Sequence, residues 1–194
     1  DDIYEFINSN KLSSVNMMGH SMGGKVAMSF ALKYNHLVEN LIILDIAPKD
    51  YSAQSRFDEL IKSVISLPLN IIKSRIDADT YLSNSIPEPG VRHFILKNLK
   101  RVNSNNFMWK PNITLIEKKM PEIYSWKGSS FTCNVNTLFI KGEKSDYILD
   151  SDFVKIKKNF PKASIKKIKN SGHWLHVDSP DEFFLLITNF LRVS

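Results

Sequence analysis

The sequence predicts an α/β fold, a mostly parallel sheet interrupted by a long helical insertion. Three observations predict it. Short apolar runs alternate with one-sided helical patterns, a glycine-rich turn joins the first apolar run to a strong helix, and the alternation lapses in mid-chain before resuming. Parallel strands covered on both faces read as continuous apolar runs, and the helices that cross between them are amphipathic, so the pattern is that of consecutive βαβ units.

From Asp2 to Lys11, Ile3, Phe6 and Ile7 recur at helical spacing, and Ser13-Ser14 punctuate the chain before the apolar run Val15 to Met18. Helix, turn and strand follow one another. After Gly19-His20-Ser21-Met22-Gly23-Gly24, the stretch Lys25 to Tyr34 sets Val26, Ala27, Phe30 and Ala31 on one helical face, and Leu41 to Leu44 makes a short apolar strand. From about Ile46 to Gly128 the rhythm breaks. Phe57, Leu60, Ile61, Val64 and Ile65 suggest one helix and Phe94, Ile95 and Leu99 another, while no strand pair is recognisable. Pro68, Pro87, Pro89, Pro111 and Pro121 mark turns between short helices. The expectation is one domain over residues 1–194 with a helical cap insertion over about 47–128. The parallel pattern resumes with a strand from Val135 to Ile140, a helix from Ser151 to Asn159, a strand from Ala163 to Ile168 and a last helix from Pro180 to Leu191. Pro180 suits a helix start, where its missing N–H costs nothing.

At 194 residues, 43% hydrophobic and 24% charged, the chain can bury one sizeable core. No apolar run is long enough to span a bilayer as a helix, and Asp1-Asp2-Ile3-Tyr4 has neither the basic nor the apolar part of a secretory signal. Stable membrane insertion is not expected. The lone Cys133 excludes a disulfide framework and any multi-cysteine zinc site, fits a reducing compartment, and lies in no cysteine-nucleophile motif. The formal charge of +6 comes from scattered lysines, and even the dense stretch Lys155 to Lys169 alternates with apolar residues as a solvated face does. Nucleic acid is not an expected partner, because no basic face with aromatic stacking platforms is recognisable. The chain opens without an initiator methionine on a helix-like segment and reads as a piece of a longer one.

Gly19-His20-Ser21-Met22-Gly23 satisfies G-x-S-x-G between a predicted strand and a predicted helix, the context in which that pattern presents a nucleophilic serine. A turn tight enough to push a hydroxyl into solvent crowds its neighbours, so glycines flank it. The helix that follows aims its first N–H groups back at the turn, and that of Met22 is placed to donate to an oxyanion. A serine needs a base to take its proton and a carboxylate to orient that base, in the order serine, acid, histidine. Of five histidines, His173 in Asn170-Ser171-Gly172-His173-Trp174 follows the last predicted strand and is favoured over the nearby His176; His20, His36 and His93 lie elsewhere. Two acids qualify from the residues alone. Asp45 ends the strand Leu41 to Leu44, and Asp146 follows the later strand in Gly142-Glu143-Lys144-Ser145-Asp146.

Gly-His-Ser-Met-Gly-Gly-Lys at 19–25, Asp-Ile-Ala-Pro at 45–48 and Ser-Gly-His-Trp at 171–174 resemble the α/β-hydrolase superfamily, in the subgroup of mitochondrial abhydrolases, yeast ethanol acetyltransferases and a small bacterial esterase. Phe94 to Leu99 and Trp109-Lys110-Pro111-Asn112 carry the same look into the insertion, so the resemblance runs the length of the chain. It implies the carboxyl-terminal half of an α/β-hydrolase fold, with the acid at Asp45 and a triad of Ser21, Asp45 and His173. It also implies an amino-terminal part with earlier strands and a His-Gly loop supplying a second oxyanion donor. Neither is in this sequence, so weak activity of the chain alone is expected, one such donor being worth about 10² to 10³ in rate. The implied reaction is acyl transfer through Ser21 on small esters or thioesters, most of all acetyl-CoA plus ethanol to ethyl acetate, with esterase and thioesterase side activities. The competing readings are a general carboxylesterase and an inactive hydrolase-like module. No cofactor is implied, acetyl-CoA entering as substrate. The partners are a small ester, thioester or alcohol, the chain is expected to be monomeric, and the resemblance implies a mitochondrial address. Phe94, Phe107, Trp109, Tyr124 and Trp126 are candidates for an apolar lid or for ordinary packing.

Overall fold

A computed structural model describes residues 1–53, 56–103, 106–127 and 130–192, and the side chains of all of these except Arg56. They divide into two compact units, residues 1–49 with 126–192 and residues 50–125. The insertion boundary expected at Gly128 lies outside the described residues.

The first unit opens with α1 (Asp2–Ser9), β1 (Val15–His20), α2 (Met22–Lys33) and β2 (Val38–Leu44). Beyond the other unit's segment it continues with β5 (Asn136–Gly142), α7 (Phe153–Asn159), β6 (Ala163–Ile168), α8 (Leu175–Asp178) and α9 (Pro180–Arg192). The four strands form one parallel sheet in the order β1-β2-β5-β6, as the alternation of strand and helix patterns predicts. Pleating turns alternate residues of each strand to opposite faces. Ile42, Leu44, Leu138, Ile140 and Ile168 meet Phe183, Leu186, Ile187 and Phe190 of α9. Leu41, Ile43 and Phe139 face the other way and are wholly buried. α2 packs on β1 and β2. Of the expected face Ala27, Phe30 and Ala31 are buried, joined by Gly24 and Met28, whereas Val26 is 46% exposed. A Cβ at Gly24 would press on Ile43 and Ile46 side chains, so the glycine draws the helix against β2 and sets which stripe faces inward. At the strand starts a ladder of amides crosses the sheet, Asn40 Nδ2 donating to Asn16 Oδ1 at 2.8 Å and Asn136 Nδ2 to Asn40 Oδ1 at 3.2 Å.

The second unit contains α3 (Arg56–Ile65), α4 (Arg75–Ser83), α5 (Pro89–Leu96), β3 (Leu99–Arg101), β4 (Phe107–Trp109) and α6 (Ile113–Tyr124). β3 and β4 pair antiparallel, which corrects the expectation of no strand pair. Each strand is three residues long, too short for an alternating pattern to register in sequence. The helix expected over Phe94 to Leu99 stops at Leu96, and Leu99 begins β3. Pro121, expected at a turn, lies inside α6 instead. A proline at 121 removes the N–H that would bond the Glu117 carbonyl, one hydrogen bond in the last turn of the helix. Leu67, Ile72, Leu82, Ile86, Leu96, Leu99 and Phe107 form this unit's core, with Trp109 packed against it. Phe107 is thus ordinary packing, and Tyr124 is buried with its hydroxyl donating to Asp58 at 2.9 Å. Phe94 is exposed.

Candidate active site

β1 delivers the chain to Ser21 at the carboxyl edge of the sheet, where the backbone turns sharply into α2. Ser21 takes φ 54° and ψ −123°, a conformation that costs about 1–3 kcal/mol for a residue with a side chain and is kept only where its surroundings enforce it. Here they do. Its N–H donates to the Leu44 carbonyl at 3.1 Å, and its carbonyl accepts from Gly24 N at 2.9 Å and Lys25 N at 3.2 Å. A Cβ at Gly19 would overlap the Gly23 carbonyl, so this turn closes only with glycine at 19. The Ser21 side chain makes no capping hydrogen bond to α2, although Ser is a favoured capping residue. Met22 is the first residue of α2, and the first N–H groups of a helix have no acceptor within it.

Asp45 follows β2 directly, with φ 48° and its N–H donating to the Ile140 carbonyl at 2.8 Å. It is wholly buried. A buried carboxylate is costly unless donors surround it. Oδ1 accepts from Gly142 N–H at 3.1 Å, while Oδ2 accepts from the Ser145 hydroxyl and from His173 Nδ1 at 2.8 Å. A carboxylate only accepts, so His173 holds its proton on Nδ1 and keeps the Nε2 lone pair as a base.

His173 sits in the loop between β6 and α8. Gly172 N–H donates to Asp178 Oδ2 at 2.8 Å, Lys144 N–H to the Ser171 carbonyl at 2.8 Å, and the Ser171 and Ser179 hydroxyls meet at 2.9 Å. The loop lies so close to the end of β5 that a Cβ at Gly142 would overlap the Ser171 and Gly172 carbonyls. His20 braces the same loop from β1, Nε2–H donating to the His173 carbonyl at 2.8 Å. Its ring lies 4.6 Å from that of His173 and 5.1 Å from that of His176. Burial pushes the His20 pKa below its ordinary value, which favours the neutral ring. Tyr147 stacks on His173 at 3.8 Å between centroids and 16° between planes.

Of the residues singled out from sequence, Asp45 and His173 are brought into direct contact, and Ser21 is tied through its backbone to the residue before Asp45. Asp146 is exposed. His176 has its Nδ1 buried without a hydrogen-bond partner among the described residues. His36 is in a single turn after α2, and His93 is in the other unit on α5. Sequence reasoning passed over Ser145, His20 and Tyr147. Ser145 has a sequence signal, a small hydroxyl residue beside Asp146 in the polar loop after a strand. Tyr147 has none.

A parallel sheet with a strained serine between strand and helix, and a buried aspartate holding a histidine at the same sheet edge, defines a hydrolase-type α/β protein. Residues 2–193 match the family model described as the PGAP1-like alpha/beta domain. The solved structure of a marine microorganism esterase superposes with a TM-score of 0.93 at 40% identity, covering 97% of this chain and 74% of that one. The sn-1-specific diacylglycerol lipase ABHD11 of Danio rerio is 36% identical over 180 residues, which is 91% of this chain and 56% of the lipase. An abhydrolase domain-containing protein of Schizosaccharomyces pombe is 34% identical over 195 residues, 98% of this chain and 72% of that protein. A more distant relative, a probable alcohol acetyltransferase of Saccharomyces cerevisiae, is 28% identical over 212 residues, covering 99% of this chain and 61% of that protein. The chain belongs to the α/β-hydrolase superfamily and, within it, to the PGAP1-like α/β-domain family, among relatives named as esterases and lipases. It spans 56% of the length of the Danio rerio lipase.

Proposed function

We propose that the protein containing this chain is an ester hydrolase that works through Ser21, His173 and Asp45. The single observation that carries the reading is the 2.8 Å contact between the wholly buried Asp45 and His173 Nδ1, which leaves Nε2 basic at the sheet edge where the strained Ser21 turn lies. Nε2 takes the Ser21 proton as Oγ attacks the carbonyl carbon of an ester or thioester, and the oxyanion that forms accepts from Met22 N–H at the positive end of α2. Collapse expels the alcohol or thiol, which receives the proton from His173, and leaves an acyl-serine. Water, deprotonated in turn by His173, releases the acid. No cofactor enters these steps. One copy of the chain supplies all three side chains, which supports a monomeric working unit. The family resemblance supports a mitochondrial location, which organelle fractionation tests.

A second reading follows from the name of the 28%-identical yeast relative. An alcohol in place of water makes the same acyl-serine an intermediate of ester synthesis, with acetyl-CoA as donor and ethanol as acceptor. The test compares the intact protein with Ser21→Ala on p-nitrophenyl acetate, on a diacylglycerol and on acetyl-CoA plus ethanol. Ser21-dependent release of acid supports the hydrolase. Ethyl acetate exceeding acetate at modest ethanol concentration moves the assignment to the transferase, and turnover independent of Ser21 overturns both.

A further inference from the structure

We propose that Tyr147 is a positioning residue for His173, its ring fixing the plane of the imidazole and stabilising the positive charge that the imidazole acquires when it takes the Ser21 proton. The inference rests on the reading of His173 as general base. Its starting point is geometric. Neutral aromatic pairs favour offset or edge-to-face contacts with centroids about 4.5–7 Å apart, whereas Tyr147 and His173 lie 3.8 Å apart and within 16° of parallel. Such a close, face-on contact becomes favourable when one ring turns into a cation, because the face of a phenol is electron-rich.

The bond from Nδ1 to Asp45 holds one atom of the imidazole and leaves the ring able to pivot about it, which swings Nε2 through an arc. A ring packed flat on the imidazole removes that freedom. The loop that carries Tyr147 is itself secured on both sides. Tyr147 N–H donates to Ser145 Oγ at 3.3 Å, and that same hydroxyl donates to Asp45. Ile148 is wholly buried, Leu149 N–H donates to Asp152 Oδ2 at 3.0 Å, and Asp152 is in turn paired with Lys49 Nζ at 2.5 Å. One loop after β5 therefore serves the carboxylate through Ser145 and the imidazole through Tyr147.

The experiment sets wild type beside Tyr147→Phe, Tyr147→Leu and Tyr147→Met in the intact protein, with two readouts. The first is steady-state turnover of p-nitrophenyl acetate. The second is the ring-current shift of the His173 ε1 proton in protein labelled with ε1-¹³C-histidine, assigned by the loss of its signal in His173→Gln. Phe retains the stacking face and keeps both readouts at wild type. Leu and Met lower kcat by about two- to fivefold, the factor that an exposed cation–π contact supports, with KM within twofold, and move the ε1 proton downfield. The two aliphatic variants differ in shape, so failure of one to fold leaves the other. A kcat and a shift unchanged in the folded aliphatic variants overturn the proposal, as does a Phe variant as impaired as Leu. Should His173→Gln keep its turnover, the general-base reading fails by itself, and the resonance still reports whether the stack exists.

Discussion

Replacing Asp45 with asparagine tests the site most sharply, because the change is nearly isosteric and the surroundings are fully specified. Asp45 accepts three hydrogen bonds, from Gly142 N–H, the Ser145 hydroxyl and His173 Nδ1–H. An asparagine oxygen can keep the bond from Gly142, but its amide then presents N–H groups to Ser145 and His173 where both now donate. Ser145 can rotate its hydroxyl to accept. His173 can accept only by moving its proton to Nε2, and a protonated Nε2 cannot take a proton from Ser21. In serine hydrolases this loss costs about 10⁴ in kcat while leaving geometry intact, and that factor is expected for Asp45→Asn. The stability cost is smaller, on the order of 1–3 kcal/mol, since Gly142 N–H is the one fully buried donor and it keeps its partner in Asn, whereas Ala strands it. The assay is p-nitrophenyl acetate turnover by the intact protein, beside labelling by a serine-directed fluorophosphonate and a urea melt. Asp146→Asn is the control, because Asp146 is exposed and its replacement is expected to change nothing. An Asp45→Asn protein within tenfold of wild type, or an Asp146→Asn protein that is the one inactivated, refutes the reasoning.

Three other outcomes follow from the same framework. Gly142→Ala places a methyl on the Ser171 and Gly172 carbonyls, which are backbone and can yield only by moving the His173 loop, so turnover falls and stability drops by about 1–3 kcal/mol in a urea melt. His20 has its pKa lowered by burial, so the unfolded chain binds the extra proton first; its contribution to stability is complete above the unfolded value of 6.5 and is lost as pH falls from there through the lowered folded value. His20→Gln should therefore flatten the stability profile below pH 6.5 in melts across that range, and an unchanged slope counts against a half-buried neutral His20. Lys49→Met removes the cation from Asp152, which is 3% exposed, and should cost about 3–5 kcal/mol by denaturant titration, whereas pairing it with Asp152→Leu should restore most of the loss.

The resemblance between prediction and structure is closest where local patterns decide the outcome. Leu41 to Leu44 is strand because a buried central parallel strand reads as an unbroken apolar run, while Val15 to Met18 and Ala163 to Ile168 are the half-exposed edge strands of the sheet and were legible from their place in the alternation of strands and helices. The pairing of Leu99–Arg101 with Phe107–Trp109 escaped because three residues are less than two full alternations. Val26, apolar and at the right spacing, is nevertheless 46% exposed, because the close approach that Gly24 permits turns the inward face of α2 away from it.

What the sequence by itself determined is the strained turn and its setting. Gly19, Gly23 and Gly24 around Ser21, between an apolar run and an amphipathic stretch, permit a strand to break sharply into a helix where side chains at 19 and 24 would clash. What only the tertiary structure decided is which carboxylate meets which histidine. Asp45 directly follows β2 and Asp146 lies in the loop after the adjacent β5, so the residues alone leave both open and only the family resemblance points to Asp45, while His173 lies 128 residues from Asp45. Their meeting depends on β2 and β5 lying side by side and on the β6–α8 loop folding over Gly142, and strand order and loop approach are long-range properties that no window of sequence encodes. The same holds for Ser145, His20 and Tyr147. Each is an ordinary residue in its own segment and acquires a partner only where three chain segments converge at the sheet edge.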